Sequence, residues 1–297
     1  MYYYIAYGLS ISSEIHLPQL ATMMEAACDI NLCLGKVISP PPTKGLKWFV
    51  TSEEAYLSWK DIGTFCVRKG NEIVVDPASD VDQSSLCLFI LGPVLGMLLH
   101  QRGLLVLHAS VVAINDGVVA FLGDQGWGKS TIAAALHSHG HSIFADDILP
   151  LDIDGMQSRL MVHPGIPQIK LWPDSVTSLG EDPQKLPRVR PEIEKRIRLI
   201  NHNCSQKPLP LERIYVLAKG MVQEIKLLSQ KEAFLNLIRH SYAVYLLEAT
   251  GTAATNFQQC HKIVNNVPIA RLQRPFSLSA LPELVKLVEE DVVKAIP

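Results

Sequence analysis

The 297-residue chain lacks any strong charge imbalance: 27 Lys and Arg stand against 29 Asp and Glu, a formal net charge of -2. Nothing in that balance pulls the chain toward nucleic acid or a membrane surface, so neither is expected as a partner. The six cysteines (Cys28, Cys33, Cys66, Cys87, Cys204, Cys260) contain no CxxC pair, and no His-Cys cluster has zinc spacing. Free thiols in a reducing cytoplasm are the expectation. The N-terminus opens on aromatics without a basic segment, which argues against a signal peptide. The longest apolar run, Leu86 to Leu99, is too short to span a bilayer and contains Gly92-Pro93, so it predicts a buried helix. The chain has no internal repeat and no Asn-Lys-x-Asp motif of the kind that reads guanine.

What the chain does have is an ordinary globular composition, 48% hydrophobic and 19% charged, and enough length for a sizeable core. Residues 1–80 carry short β-like runs, such as Tyr2–Ala6 and Ile30–Leu34, between Pro, Gly and polar turns, with Pro40-Pro41-Pro42 as a loop. They predict a small, mainly antiparallel β region without a catalytic constellation. Residues 81–297 form the second region, and its chemistry centres on one stretch.

That stretch is Gly123-Asp124-Gln125-Gly126-Trp127-Gly128-Lys129-Ser130-Thr131, between the apolar run Val118–Leu122 and the helix-favouring Ile132–Leu136. The two glycines followed by Lys-Ser, in a strand-loop-helix setting, fit a phosphate-binding loop. Backbone N–H groups and the positive end of the following helix would face phosphate oxygens. Lys129 would reach the outer phosphates, and the Ser130 hydroxyl would hold Mg²⁺. A glycine turn joining strand to helix would explain the glycines alone, but not the Lys-Ser that follows them.

Two further groups converge on this loop. Asn115-Asp116-Gly117 predicts a hairpin, and a turn centred at Asp116 carries His108 to a position opposite Asp124. One strand after the loop helix come Asp146 and Asp147, which a right-handed crossover brings to the same sheet edge. One carboxylate would serve the metal shell; the other could accept a proton from an attacking hydroxyl. Strand alternation predicts that only one of them faces the reacting centre. His137, His139 and His141 straddle a helix end and do not share a face, so no metal site is expected there. The segment 181–198 is rich in Pro and charge. It reads either as a solvated face or as a mobile basic segment in which Arg188, Arg190, Lys195 and Arg196 touch phosphates or an acidic substrate.

Taken together, Leu107-His108-Ala109-Ser110, the loop 123–131, Gly140-His141, Ala145-Asp146-Asp147, Pro164-Gly165-Ile166-Pro167, Leu171-Trp172-Pro173-Asp174 and Pro187-Arg188-Val189-Arg190-Pro191 resemble the HPr kinase-related family. The resemblance implies an α/β fold with a P-loop core like that of HPr kinase and phosphoenolpyruvate carboxykinase, preceded by the small β region. It implies an ATP-dependent, Mg²⁺-requiring serine kinase. Gly123, Gly126, Trp127, Gly128, Lys129, Ser130 and Thr131 would hold the nucleotide, and Ser130 and Asp147 the metal. Asp146 would act as general base, supported by Asp147 and His108. Thr131 stands where the bifunctional family members have Glu, and their Glu-x-Arg-Gly signature is absent, which points away from HPr as substrate. Stand-alone relatives of this kind resemble kinases that phosphorylate the C-terminal serine of lasso-peptide precursors. A homo-oligomer fits the family but is not required. A small-molecule kinase and a non-catalytic ATP-binding module are the alternative readings.

Overall fold

The computed structural model describes residues 1–38, 48–51, 53–156, 158–200, 207–242, 244 and 247–295. Pro40-Pro41-Pro42 and Cys204 lie outside the described residues. The fold is mixed α/β with several sheets. The first 77 residues supply one eight-stranded sheet: β1 (Tyr2–Ala6), β2 (Leu9–Ser13), β3 (Ala21–Thr22), β4 (Ile30–Leu34), β5 (Trp48–Val50), β6 (Glu54–Trp59), β7 (Gly63–Arg68) and β8 (Glu72–Pro77). Their order is β3-β1-β2-β4-β8-β7-β6-β5, and the β2–β4 and β4–β8 pairs are parallel, so the sheet is more mixed than expected.

The apolar run that follows becomes α1 (Gln83–Phe89) and α2 (Leu95–Gln101), joined through a wide turn at Ile90–Val94 where Gly92 leaves helical geometry and Pro93 follows. At 19 residues the whole segment, Gln83–Gln101, exceeds the expected run and is long and apolar enough to cross a membrane, yet it lies mostly inside the protein. Its apolar side chains share one continuous core with the first sheet and with Leu105 to Ile166, so residues 1–80 do not have a core of their own.

The central sheet explains why the middle of the chain reads as unbroken hydrophobic runs. After β9 (Leu105–Leu107), the strands β10 (Ala109–Ile114) and β11 (Gly117–Leu122) form the expected hairpin. The loop helix α3 (Lys129–Ser138) leads to β12 (Ser142–Ala145), β13 (Leu149–Leu151), β14 (Met161–Val162) and β15 (Gln168–Leu171). The short α4 (Pro173–Ser178) precedes β16 (Arg188–Arg190) and β17 (Ile193–Leu199); β17 pairs with β15 on one side and β16 on the other. Then come β18 (Leu209–Lys219), β19 (Glu224–Leu227), α5 (Gln230–Arg239), α6 (Ala253–Asn266), β20 (Ile269–Arg274) and α7 (Leu281–Ala295).

The central order is β12-β10-β11-β18-β20-β19. Every residue of β11 is buried because both sheet faces are covered. Val118, Ala120 and Leu122 join the core shared with the first sheet, while Val119 and Phe121 pack on the opposite face with Ile132, Leu136 and Val285 of α3 and α7. Here β10 separates β11 from β12 and runs antiparallel to both. The ends of β11 and β12 therefore reach one edge, as the crossover reading required, but not as adjacent strands.

Phe121 sits two residues before the glycine loop, fully buried and stacked on Tyr215 of β18 with ring centroids 5.5 Å apart. Truncation there leaves a cavity under the loop, so Phe121→Ala should cost about 3–5 kcal/mol of unfolding free energy in urea denaturation.

Candidate active site

The glycine loop closes on itself by the hydrogen bond from Trp127 N–H to the Asp124 carbonyl, and Gly126 and Gly128 both take positive φ, 78° and 82°. Gly128 is doubly constrained. A Cβ there would meet Arg274 Nη2 at 2.6 Å in a backbone conformation that L residues rarely adopt. Lys129 begins α3 and is 6% exposed; its Nζ donates to the carbonyls of Gly123 at 2.7 Å and Asp124 at 3.3 Å. Burial lowers its pKa.

The hairpin turn comprises Asn115 and Asp116, with Ile114 paired to Gly117 and Ala109 to Leu122. One residue before that register lies His108, so it faces the start of the loop at Gly123 and not Asp124. Its N–H donates to the His240 carbonyl at 2.9 Å, and burial lowers its imidazole pKa.

The acidic pair is split by backbone geometry. Asp147 adopts φ 71°, a left-handed conformation, directly after β12 and Asp146. Asp146 turns under the start of α3: Oδ1 accepts from Ser110 Oγ at 2.5 Å and Ser130 Oγ at 3.0 Å, and Oδ2 from Lys170 N–H at 3.2 Å. Asp147 turns the other way and receives Lys170 Nζ at 2.8 Å. Burial, then the Asp147 charge, push the Asp146 carboxyl up to about 6. Burial also acts to raise Asp147, but the Lys170 ammonium, followed by His108, holds it well below the usual carboxylate range.

His108, Asp147, Lys170 and part of the glycine loop border a cavity of about 740 Å³. Of the loop residues expected to bind the nucleotide, Gly126, Gly128, Lys129, Ser130 and Thr131 line it. Gly123 and Trp127 do not: Gly123 serves through its carbonyl, and the Trp127 ring lies 5.5 Å from Lys219 Nζ. His108 and Asp147 line the cavity, whereas Asp146 is beneath its wall. Of the two expected site carboxylates, only Asp147 lines the cavity, while Asp146 is held by Ser110, Ser130 and the Lys170 backbone. Asp146 shares a hydrogen bond with Ser130, and Asp147 faces the open space.

The basic segment also departs from expectation. Its hairpin, β16 and β17, is ordered against β15. Arg188 pairs with Glu194 at 2.9 Å and Arg190 with Glu192 at 3.4 Å; neither lines the cavity. Arg196, 3% exposed, donates to the Pro183 and Glu194 carbonyls. Lys195 alone of the four borders the cavity, its Nζ 5.6 Å from the Trp172 ring centre. Gly92, Pro93 and Trp59 border it too, so the helix break and the first sheet both contribute to the wall. Sequence reading missed Lys170, although its place inside the apolar Ile169–Leu171 strand signals a buried cation in need of a carboxylate. His141 and His139 lie against Glu289 at 2.9 and 3.8 Å, and no cluster of metal-ligating side chains occurs among the described residues.

No family model and no curated protein matches the chain. Among solved structures it is similar to the Hpr(Ser) kinase/phosphatase from Coxiella burnetii, at 12% identity over 64% of this chain and 97% of that chain, with a TM-score of 0.34.

Asp146 holds its proton more tightly in the folded chain, at about 6 against an ordinary 3.8. Its contribution to stability is therefore complete below about pH 3.8 and is withdrawn as pH rises through about 6. Carboxyl ¹³C NMR of the ligand-free protein should show Asp146 titrating near pH 6, and Asp147→Asn should move that midpoint down by removing the neighbouring charge. A midpoint at the ordinary value in the unaltered protein contradicts the geometry.

Proposed function

We propose that the chain is an ATP-dependent kinase that transfers the γ-phosphoryl group of ATP to a serine hydroxyl of a peptide or protein. The observation that carries this reading is the Ser130–Asp146 hydrogen bond, 3.0 Å, at the foot of the glycine loop, with Asp147 and His108 across the same cavity. The donor set suits Mg²⁺: a hydroxyl and a carboxylate are hard oxygen ligands, and two from protein leave positions for water and phosphate oxygens. A buried carboxyl raised to about 6 is also one that a cation would stabilise in its ionised form. When bound, Mg²⁺ supplies charge neutralisation on the phosphates.

The chain's own groups divide the remaining work. Backbone N–H groups of Gly126 to Ser130 face the phosphates, and Lys129 exchanges its two carbonyl acceptors for phosphate oxygens. Lys170 keeps Asp147 ionised and oriented. The Asp147 carboxylate positions the serine hydroxyl and accepts its proton as the serine oxygen bonds to the γ-phosphorus. The bond to the β–γ bridging oxygen breaks, and ADP leaves. In a loose transition state proton transfer is late, so a strongly acidic carboxyl is adequate for the task. His108, kept neutral by burial, borders the same space as a hydrogen-bonding partner for the acceptor.

The decisive assay follows label from γ-³²P ATP into serine peptides, including short peptides ending in serine as a lasso-peptide precursor would, with free small hydroxy acids as the competing acceptors. Asp147→Asn should lower turnover by about 10²–10⁴-fold while the ATP dissociation constant changes little. Ser130→Ala and Asp146→Asn should raise the Mg²⁺ concentration required for half-maximal rate. Unchanged turnover in Asp147→Asn removes the proton-accepting role, and binding of ATP without transfer to any hydroxyl converts the reading to that of a nucleotide-binding module.

A further inference from the structure

The central sheet orders its chemistry along one edge. From β12 inward come Asp146 and Asp147, then His108 at the start of β10, then the glycine loop after β11, then Lys219 at the end of β18, and last Arg274 at the end of β20. Because β11, β18 and β20 are mutually parallel, all three end at this edge. The carboxylates and His108 therefore lie on one side of the loop and a second cluster lies on the other, unused by the phosphoryl-transfer chemistry.

That second cluster is aromatic and cationic. Phe276 borders the cavity and is 61% exposed, so part of its ring is open to whatever enters that space. Lys219 Nζ stands 4.3 Å from its centre and 5.5 Å from that of Trp127. Lys219 and Trp127 do not line the cavity, whereas Phe276 and Arg274 do. Arg274, 8% exposed, has its guanidinium 5.5 Å from the same ring, and its Nη2 donates to the Trp127 carbonyl inside the loop. Its buried Nε has no hydrogen-bond partner. Leu278 and Leu281 continue the apolar wall beyond Phe276.

We propose that Phe276 is the stacking platform for the nucleobase of the bound nucleotide. The proposal rests on the nucleotide reading of the loop and deepens it by fixing the direction in which the nucleotide lies. Its base is on the β20 side and its terminal phosphate points toward Asp147. The acceptor then approaches from the opposite end of the cavity, past Pro93 and Tyr242, which border it beside His108. Stacking is tolerant of base identity, so the site is assigned to a nucleobase as a class.

The test separates base from phosphate. Calorimetry on the full chain would compare Mg²⁺-ATP with Mg²⁺-tripolyphosphate, which carries the phosphates without a base. Phe276→Ala should weaken ATP roughly 5- to 150-fold, the range of one lost base–aromatic stack, and leave tripolyphosphate within about twofold. Phe276→Trp should restore ATP binding. Because Phe276 is exposed, the truncation leaves the core intact. Unchanged ATP affinity in Phe276→Ala, or an equal loss for both ligands, overturns the stacking role. If the unaltered protein binds tripolyphosphate but gains nothing from the base of ATP, the subsite fails while the loop reading stands; if it binds neither, the loop reading fails and takes the subsite with it.

Discussion

One buried carboxylate holds the working edge of the molecule together. Asp146 accepts hydrogen bonds from Ser110 on β10, Ser130 on α3 and the Lys170 backbone on β15, three elements from separate parts of the chain. A charge-assisted hydrogen bond is stronger than a neutral one, and a half-satisfied buried carboxylate is costly, so these elements settle in register around it. The rest of the site inherits its position. Asp147 can face the cavity because Asp146 does not, and the left-handed turn between strand end and cavity separates the two charges that burial alone would set against each other.

The same edge joins parts that look independent in the linear chain. Trp59 comes from the first sheet and Gly92 and Pro93 from the interrupted helix, yet all three wall the cavity served by the glycine loop. An unsatisfied helix interruption is destabilising in a packed core. At Gly92 and Pro93 the break coincides with the cavity wall, where open space accommodates it. The core that runs from Tyr4 through Leu98 to Val162 makes the first sheet a wall of the site and not an appendage.

Much of this was legible in residue order because it depends on local rules. The apolar run Val118–Leu122, the glycines with positive φ and the Lys-Ser helix start each carry a short-range signal and lie where it points, and the Asn-Asp-Gly turn forms its hairpin one register position from the expected one. The acidic pair was legible as a pair but not as two roles, since strand alternation says that neighbours diverge without saying which one meets the open space. The segment 181–198 carries no local signal of its hairpin, because its prolines and charges mask strands that are held by β15 and by the Arg188–Glu194 pair. Lys170, Arg274 and Phe276 depended on strands that meet only after folding, so spacing along the chain could not group them with the loop.

Lys129 has a consequence of a different kind. Its ammonium is already stripped of bulk water and fastened to the Gly123 and Asp124 carbonyls before any anion arrives. On the proposed nucleotide reading, an incoming phosphate meets a cation whose dehydration and side-chain ordering were completed during folding. The new contact is offset by the two carbonyl hydrogen bonds that Lys129 gives up. On that same reading, the folded chain holds this cation ready at the loop, and the arrival of ligand changes its partners.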